Sequence, residues 1–405
     1  MLPDASRQLA AWVPRLVSLW RRGRDRPAPT SGRGRGPGRG GRSYRSDPVD
    51  LLPDELRSVG AAVERLSRGL TRDREMAGAR YMDEERLLGA YLLYYWPVSY
   101  LQARGVLSEL PRPPKRVLDL GSGPGPVAIA ALDAGAAEGV AADRSARALG
   151  AAAALAREAG EALAVREWNP TRGEPLARLF GGQRFDLIAV SHLLNELFRG
   201  PDEDARRVAL LEEALSLVAP GGSLLVIEPA LRETSRALLR LRDRLVAAGA
   251  AVRAPCLFRG PCPALVREGD WCHAERAVEP PPLVTQIART AGLRREAVKM
   301  SYLLLAPPGE PWPDPPPGRV FRIVSEPLAG KGRLRYMGCG PEGRMGLSLQ
   351  EKHVSEANKL FGSLLRGDVV EVTHGEPRGD GLALGAESTV RVIAAAGRPV
   401  PGGTG

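Results

Sequence analysis

The sequence predicts an α/β protein: a doubly wound, mostly parallel sheet, preceded by helices and followed by a small β-rich module. Three observations predict it. Short β-type runs alternate with helical runs from about residue 113 to 306, the rhythm of βα units that place helices on both faces of a parallel sheet. A glycine-rich loop, VLDLGSGPGPVAIAA, joins the first of these strands to the first helix. A proline-rich linker at 307–318, PPGEPWPDPPPG, then marks a boundary, since such composition neither packs a core nor continues a helix.

Residues 1–48 read as a disordered basic arm rich in glycine and arginine. Up to residue 46 it holds eleven arginines against Asp4 and Asp25, so nearly all of the net charge of +10 sits there. The run Thr30–Arg45, TSGRGRGPGRGGRSYR, has no periodicity and almost no apolar residues, which argues against a packed element. Arg-Gly tracts bind RNA by charge and by guanidinium stacking. A solubilising tail is the alternative, because the whole chain favours arginine, 52 to 5 lysines. Residues 6–25 also have the cast of an Arg-rich transit peptide, against which Pro14 and Asp25 count.

A helical region is expected over 49–112. LPDELRSVGAAVERLSRGL places apolar residues three and four apart, and a second helical run from about Asp83 to Leu110 stops at PRPP. Its apolar stretch Leu87–Leu101 is too short to span a bilayer and contains Pro97. The strands of the sheet are RVLDL, GVAAD, ALAVREW, FDLIAVS, SLLVIEP and EAVKMSYLLLA, with helices between them. In the module, 319–398, the runs GRVFRIVSEPL, KGRLRYMGC, GRMGLSLQEK and GDVVEV alternate apolar and polar positions, which suggests a barrel-like unit. Residues 399–405 are a tail.

The glycine loop carries the first candidate site. Asp119 lies near the end of its strand; Gly121, Gly123 and Gly125 follow; Asp143 ends the next strand eighteen residues beyond Gly125. Glycines let a ligand approach the backbone beside a helix N-terminus, and a carboxylate at the second strand end is placed to accept from ribose hydroxyls. The order D-L-G-S-G-P-G resembles the class I S-adenosylmethionine-dependent methyltransferases, which have a Rossmann-like fold. That resemblance implies S-adenosyl-L-methionine as cofactor, held at Asp119, Gly121, Gly123, Gly125 and Asp143, with Asn169 on the adenine side. After the fourth strand, SHLLNEL carries neither an Asp/Asn-Pro-Pro-aromatic motif nor a cysteine nucleophile. His192, Asn195 and Glu196 read as substrate-orienting groups or as a solvated loop, and no catalytic residue is assigned.

Of four cysteines, three fall in CLFRGPCPALVREGDWC as Cys256, Cys262 and Cys272, within a segment spanning 254–275; Cys339 is distant. Turn-rich surroundings differ from the apolar runs that bury inert cysteines, and a disulfide framework belongs to small secreted domains. Four thiolates complete a site for one tetrahedral zinc or one four-iron cluster. The loose C-x5-C-x9-C spacing leans toward the cluster, with His273 as an alternative ligand.

Together, LPDEL, RYMDEERLLGAYLLYYWP, VLDLGSGPGP, the three-cysteine segment with WCH, and RIVSEPLAGKGRLRYMGCGPEGR resemble the methyltransferase-like family that assembles the small subunit of mitochondrial ribosomes (methyltransferase-like protein seventeen and its yeast and bacterial relatives). The likeness runs from about Leu52 to Val372. It implies a [4Fe-4S] cluster, with zinc as the alternative, on Cys256, Cys262, Cys272 and Cys339. It also implies small-subunit rRNA, within the pre-ribosomal small subunit, as partner, and leaves methyl transfer doubtful. Candidate RNA contacts are Arg319, Arg322, Lys331, Arg333 and Arg335. Neither a membrane nor DNA is expected as a partner. The arginine- and alanine-rich composition favours a bacterial cytoplasm, with a mitochondrial matrix as the alternative.

Overall fold

The computed structural model describes residues 3–23, 49–76, 78–110, 112–293, 297–314, 316–396 and 400. The Arg-Gly run Thr30–Arg45 therefore lies outside the described residues. Residues 3–22, read from the sequence as part of that arm, are helical instead. Helix α1 (Pro3–Arg22) runs through Pro14 and buries Leu9, Trp12, Leu16, Val17 and Trp20. These apolar residues recur at three- and four-residue intervals, so one face of the helix belongs to the core. Arg7 and Arg22 stay outside, while Arg21 is buried and pairs with Glu55 at 3.3 Å. The Trp12 indole donates to Asp133 at 2.7 Å, and its ring lies 5.7 Å from that of Trp96.

Helices α2 (Pro53–Ser67), α3 (Glu85–Ala90) and α4 (Trp96–Leu107) complete the N-terminal layer; a wider-wound turn over Tyr91–Tyr95 joins the last two. The sheet follows in the predicted alternation: β1 (Arg116–Leu120), α5 (Pro126–Asp133), β2 (Glu138–Asp143), α6 (Ala146–Ala159), β3 (Leu163–Glu167), α7 (Leu176–Leu179), β4 (Phe185–Ser191), α8 (Glu203–Ser216), β5 (Val218–Glu228), α9 (Arg232–Ala247), β6 (Ala251–Ala254), β7 (Ala274–Ala277), α10 (Pro282–Thr290) and β8 (Ala297–Ala306). The strand order is β3-β2-β1-β4-β5-β8-β6, with β7 on β8. Strands β1 to β5 pair in parallel and β8 is antiparallel to β5.

One core fills the side of α1–α4, α5, α6 and α10, and a second fills the side of α7–α9. Strands β1, β2, β4 and β5 end at one common edge, where Gly121, Asp143, Ser191 and Glu228 follow or close them. In open α/β sheets ligands bind outside this carboxyl edge, where the strand order reverses.

The C-terminal module contains β9 (Val320–Ile323), β10 (Leu328–Gly330), β11 (Arg333–Gly340), β12 (Gly343–Gln350), β13 (Val369–Arg378) and β14 (Gly381–Ala394). The sequence reading stopped before β14, whose glycines and alanines hide its strand character. Order β9-β11-β12-β14-β13 returns to β9, which closes the module around its own core.

The proline-rich stretch is laid onto the α/β domain. The Gly221 N–H donates to Glu310 at 2.9 Å, and Arg253 pairs with Glu310 at 3.4 Å. Arg242 and Arg259 each stand 5.9 Å from the Trp312 ring. Beneath the module, the Glu109 carboxylate receives Arg276 at 2.6 Å, the Tyr302 hydroxyl at 2.5 Å and Arg322 at 3.1 Å. That one side chain ties the end of α4 to β7, β8 and β9.

Candidate cofactor cavity and cysteine centre

A cavity of about 660 Å³ opens at the carboxyl edge of the sheet, lined by Gly121, Asp143, Ser145, Trp168 and His192 among others. All three loop glycines adopt left-handed φ values: 73° at Gly121, 53° at Gly123 and 76° at Gly125. Other residues are strained there. A Cβ on Gly121 would come within 2.8 Å of Leu193. Asp143 organises the turn, accepting from the Gly123 N–H at 2.9 Å and the Ser145 N–H at 2.8 Å. Burial raises its carboxyl above the usual range, and these two backbone N–H groups oppose the shift. Its carboxylate oxygens retain lone pairs for further donors.

Asp119 is fully buried; one oxygen accepts from Ala128 N–H at 3.0 Å, while Oδ1 has no partner. Burial pushes its carboxyl up to about 7. Asn169 follows β3 between Trp168 and Pro170, which line the cavity; its Oδ1 accepts from the Thr171 N–H and hydroxyl of its own turn.

Several cavity residues escaped sequence reading. The short segment Tyr81–Asp83 crosses the loop: the Tyr81 hydroxyl donates to Glu196 at 3.1 Å, and Ser145 donates to Asp83 at 2.6 Å. Arg144 holds the preceding carbonyls of Gly78 and Ala79 at 2.9 and 2.6 Å. Met82 lies against Gly123. His192 takes a left-handed φ of 54° and meets Gln102 of α4 at 2.7 Å. The cavity continues past this pair to Glu275 and Lys299. Glu196 is pushed up to about 7 and Glu228 to about 8, both by burial. Only the YMD of RYMDEERLLG marked the crossing segment in sequence.

The cysteines form a second centre. Cys256, Cys262, Cys272 and Cys339 are all free and half-buried, and all four line one cavity of about 60 Å³. Three come from the segment between β6 and β7 and the fourth from β11, so the cavity lies at the seam between sheet and module. Helix α9 holds the irregular segment. Asp243 accepts from the Cys262 N–H at 2.9 Å, Arg242 donates to the Phe258 carbonyl at 2.7 Å, and Arg236 donates to those of Arg267 and Asp270 at 2.8 and 2.6 Å.

Burial raises every thiol, Cys262 to about 12 and Cys272 to about 11; neighbouring cysteines add to the rise at Cys262, Cys272 and Cys339, while Arg242 opposes it at Cys256. Four such thiols ionise together only around a compensating cation. Arg242, Arg276, Arg322 and Arg344 line the same cavity. Each of them, with nearby Arg366, has a buried Nε without a partner, as does His273 at Nδ1. Soft donors in a collar of unmet N–H groups suit an anionic thiolate–metal centre. Among the described residues, however, no three His, Cys, Asp or Glu groups stand as a ready set for a metal ion.

Of the RNA candidates, Arg322 is a correction. It turns inward to Glu109 and the cysteine cavity, because the polar face of β9 is covered by the α/β domain. Arg319 is partly exposed and pairs with Glu342 at 3.4 Å. Lys331, Arg333 and Arg335 are exposed.

Strand order, glycine loop and edge cavity define a class I methyltransferase-like protein carrying a closed β-module. Residues 88–371, more than two thirds of the chain, match the family model "Mitochondrial small ribosomal subunit Rsm22". The chain belongs to the Rsm22 family. Among solved structures it is similar to a ribosomal protein L11 methylase from Lactobacillus delbrueckii subsp. bulgaricus, at 15% identity over 52% of this chain and 79% of that one, TM-score 0.31. It is also similar to an O-methyltransferase family protein from Burkholderia thailandensis, at 18% over 64% and 74%, TM-score 0.38. A third is TrmN from Thermus thermophilus, at 21% over 53% and 53%, TM-score 0.33. No curated protein matches the chain. Among the described residues no helix is long and apolar enough to cross a membrane.

Proposed function

We propose that the protein is a small-subunit ribosome-assembly factor that binds rRNA, holds S-adenosylmethionine at the glycine loop, and is stapled by a four-cysteine iron–sulfur cluster. The observation that carries this reading is the arrival of four free thiols, from both halves of the molecule, around one cavity, within a family named for the small ribosomal subunit. Cys256, Cys262, Cys272 and Cys339 would hold the cluster. The cluster would supply a structural tie between the domains. Asp143 would receive the ribose hydroxyls, and Gly121 and Gly123 would admit the methionine part.

Iron, sulfide and zinc analysis of anaerobically purified protein, with an absorption spectrum, tests the centre. About four irons per chain with broad visible absorption is expected; stoichiometric zinc, or no metal, overturns the cluster. Co-purification of small-subunit rRNA tests the partner.

Methyl transfer to rRNA is the second reading. It is favoured by the continuation of the cavity past His192 to Glu275 and Lys299, which leaves an acceptor room beyond the cofactor end. Labelled methyl appearing on small-subunit RNA, and lost in a Gly121→Val variant, would establish it.

A further inference from the structure

The C-terminal module has a definite topology. Numbering its barrel strands in chain order, β9, β11, β12, β13 and β14 are the first to fifth. The first three pair in succession and antiparallel, the third pairs with the fifth in parallel, and the fifth pairs with the fourth, which returns to the first. This closed Greek-key order, 1-2-3-5-4, is that of the OB-fold, whose ligands lie across strands two and three between the loops joining strands one to two and four to five. Fold alone does not assign a ligand; the side chains on that face do.

On β11 the buried residue Tyr336 and the half-buried Leu334 alternate with exposed Arg333 and Arg335. Their cross-strand partners on β12 are Gln350 and Ser348, and Ser348 pairs onward with Ala383 of β14. The floor is small: a Cβ on Gly346 would meet nothing within 4 Å. Lys331 sits in the turn entering β11, Lys352 follows β12, and Arg378 closes β13 beside the four-to-five turn.

The ion pairing separates these cations from the others of the module. Arg319, Arg322, Arg344, Arg366, Arg391 and Lys359 all have carboxylate partners. Among the described residues Lys331, Arg333, Arg335, Lys352 and Arg378 have none; the acids near them are Glu351 beside Lys352, and Glu376 and Asp380 on either side of Arg378, with Glu376 across from Ala383. The other half of the same face is taken: Arg344 pairs with Asp270 at 3.3 Å, and Phe258 lies over Gly343. The cysteine segment therefore covers one end of the strand-two and strand-three face and leaves the basic end open.

We infer that this open half-face binds single-stranded RNA, with Arg333 and Arg335 on phosphates or stacked on bases and the small floor of β12 and β14 beneath the chain. The inference rests on the rRNA-binding reading and adds the place and the form of the RNA. Unpaired cations on a shallow face select a polyanion over an oligosaccharide, and guanidinium planes can stack unpaired bases. Because half the face is covered, the footprint falls at the short end of the roughly 4–16 nucleotides an OB-fold engages.

The test uses the full chain, purified anaerobically, with a fluorescein-labelled 12-nucleotide mixed-sequence RNA and binding read by anisotropy across salt concentrations. Arg333→Glu with Arg335→Glu should weaken binding about tenfold or more and reduce the salt slope by about 1.4, two phosphate contacts at 0.7 each. The matched pair Arg244→Glu with Arg289→Glu, on exposed helix faces of the α/β domain, should stay within about twofold. RNA bearing 4-thiouridine should crosslink within 333–350. Should the charge reversals melt early, Arg333→Gln with Arg335→Gln replaces them, with the same order of effect. Unchanged binding and crosslinks elsewhere would overturn the face while sparing the RNA reading. Equal competition by duplex RNA or polyglutamate would overturn the ligand class. No RNA binding by the wild-type chain would remove both.

Discussion

Cys339 stands directly across from Arg322 in the β9–β11 ladder, and Arg322 gives its guanidinium to Glu109 at 3.1 Å. The fourth thiol is thus one residue pair away from the carboxylate that anchors the N-terminal helices. A change at the cysteine centre reaches both domains through this chain of contacts.

Replacing Cys339 with serine should leave three cysteines on the α/β side and none on the module. On the proposed cluster reading we expect loss of most of the iron, about four per chain for such a cluster, and faster tryptic cleavage around 307–318, the stretch that now lies against Arg242 and Arg253. Iron content and a proteolysis time course check this. Unchanged iron would remove Cys339 from the ligand set.

Glu109→Gln should be among the most damaging substitutions outside the cysteines. Burial works to raise this carboxyl, but Arg322 and Arg276 overcome it and hold it below its ordinary value. Leaving those two guanidiniums without their carboxylate should cost on the order of 3–5 kcal/mol, read as a lower urea midpoint. A depressed acid contributes stability above its unfolded value and loses it as pH falls through the folded one. The wild type should therefore lose this contribution below about pH 4.5, its ordinary value, and the variant should lack that acid limb.

At the sheet edge the sign reverses. Asp119 and Glu196 are raised to about 7 and Glu228 to about 8. Groups raised in the folded state give stability that is complete below their unfolded values and lost as pH climbs through the folded ones. Each raised unit corresponds to about 1.4 kcal/mol, so melting temperature should fall from about pH 4, the ordinary carboxylate range, to about pH 8, where the last of these groups ionises. Glu228→Gln should flatten that fall. Its neutral amide keeps an oxygen for the Leu194 N–H, which now donates to Glu228 at 2.9 Å. A melting temperature independent of pH would contradict the burial of this cluster.

On the proposed cofactor reading, Asp143→Ala should weaken S-adenosylmethionine binding about tenfold or more, because it removes the proposed ribose acceptor and frees the Gly123 N–H. Calorimetry on the full chain measures it directly. Affinity equal to wild type would remove Asp143 from the ribose position. Tyr81→Phe should have a smaller effect, since the crossing segment keeps its Ser145 and Arg144 contacts.

Features written in local sequence were legible: the βα alternation, the glycine loop before α5, and the three clustered cysteines. Each depends on neighbours within one turn or strand. Features that need distant partners were not. The apolar stripe of α1 was present as Leu9, Trp12, Leu16 and Trp20, but the surrounding arginines and Pro14 masked it. Arg322 follows the period-two rule of an outward strand position, yet outward there means toward Cys256 and Glu109. The Tyr81–Asp83 segment meets the cavity only because Glu196 and Ser145 lie far along the chain. The turn that Asn169 makes with Thr171 is local, and asparagine commonly forms such turns.

The docking of α1 also bears on how the polypeptide is made. Trp12 and Arg22 find Asp133 and Glu158, 121 and 136 positions later. A ribosome synthesising about 5–20 residues per second must therefore extend the nascent chain for roughly 6–27 s before these partners exist. During that interval the helix presents two tryptophans and several leucines to solvent. Chaperone engagement at the amino terminus is the expected cost, and a cleavage removing this helix would leave its seat on α4 and α6 open.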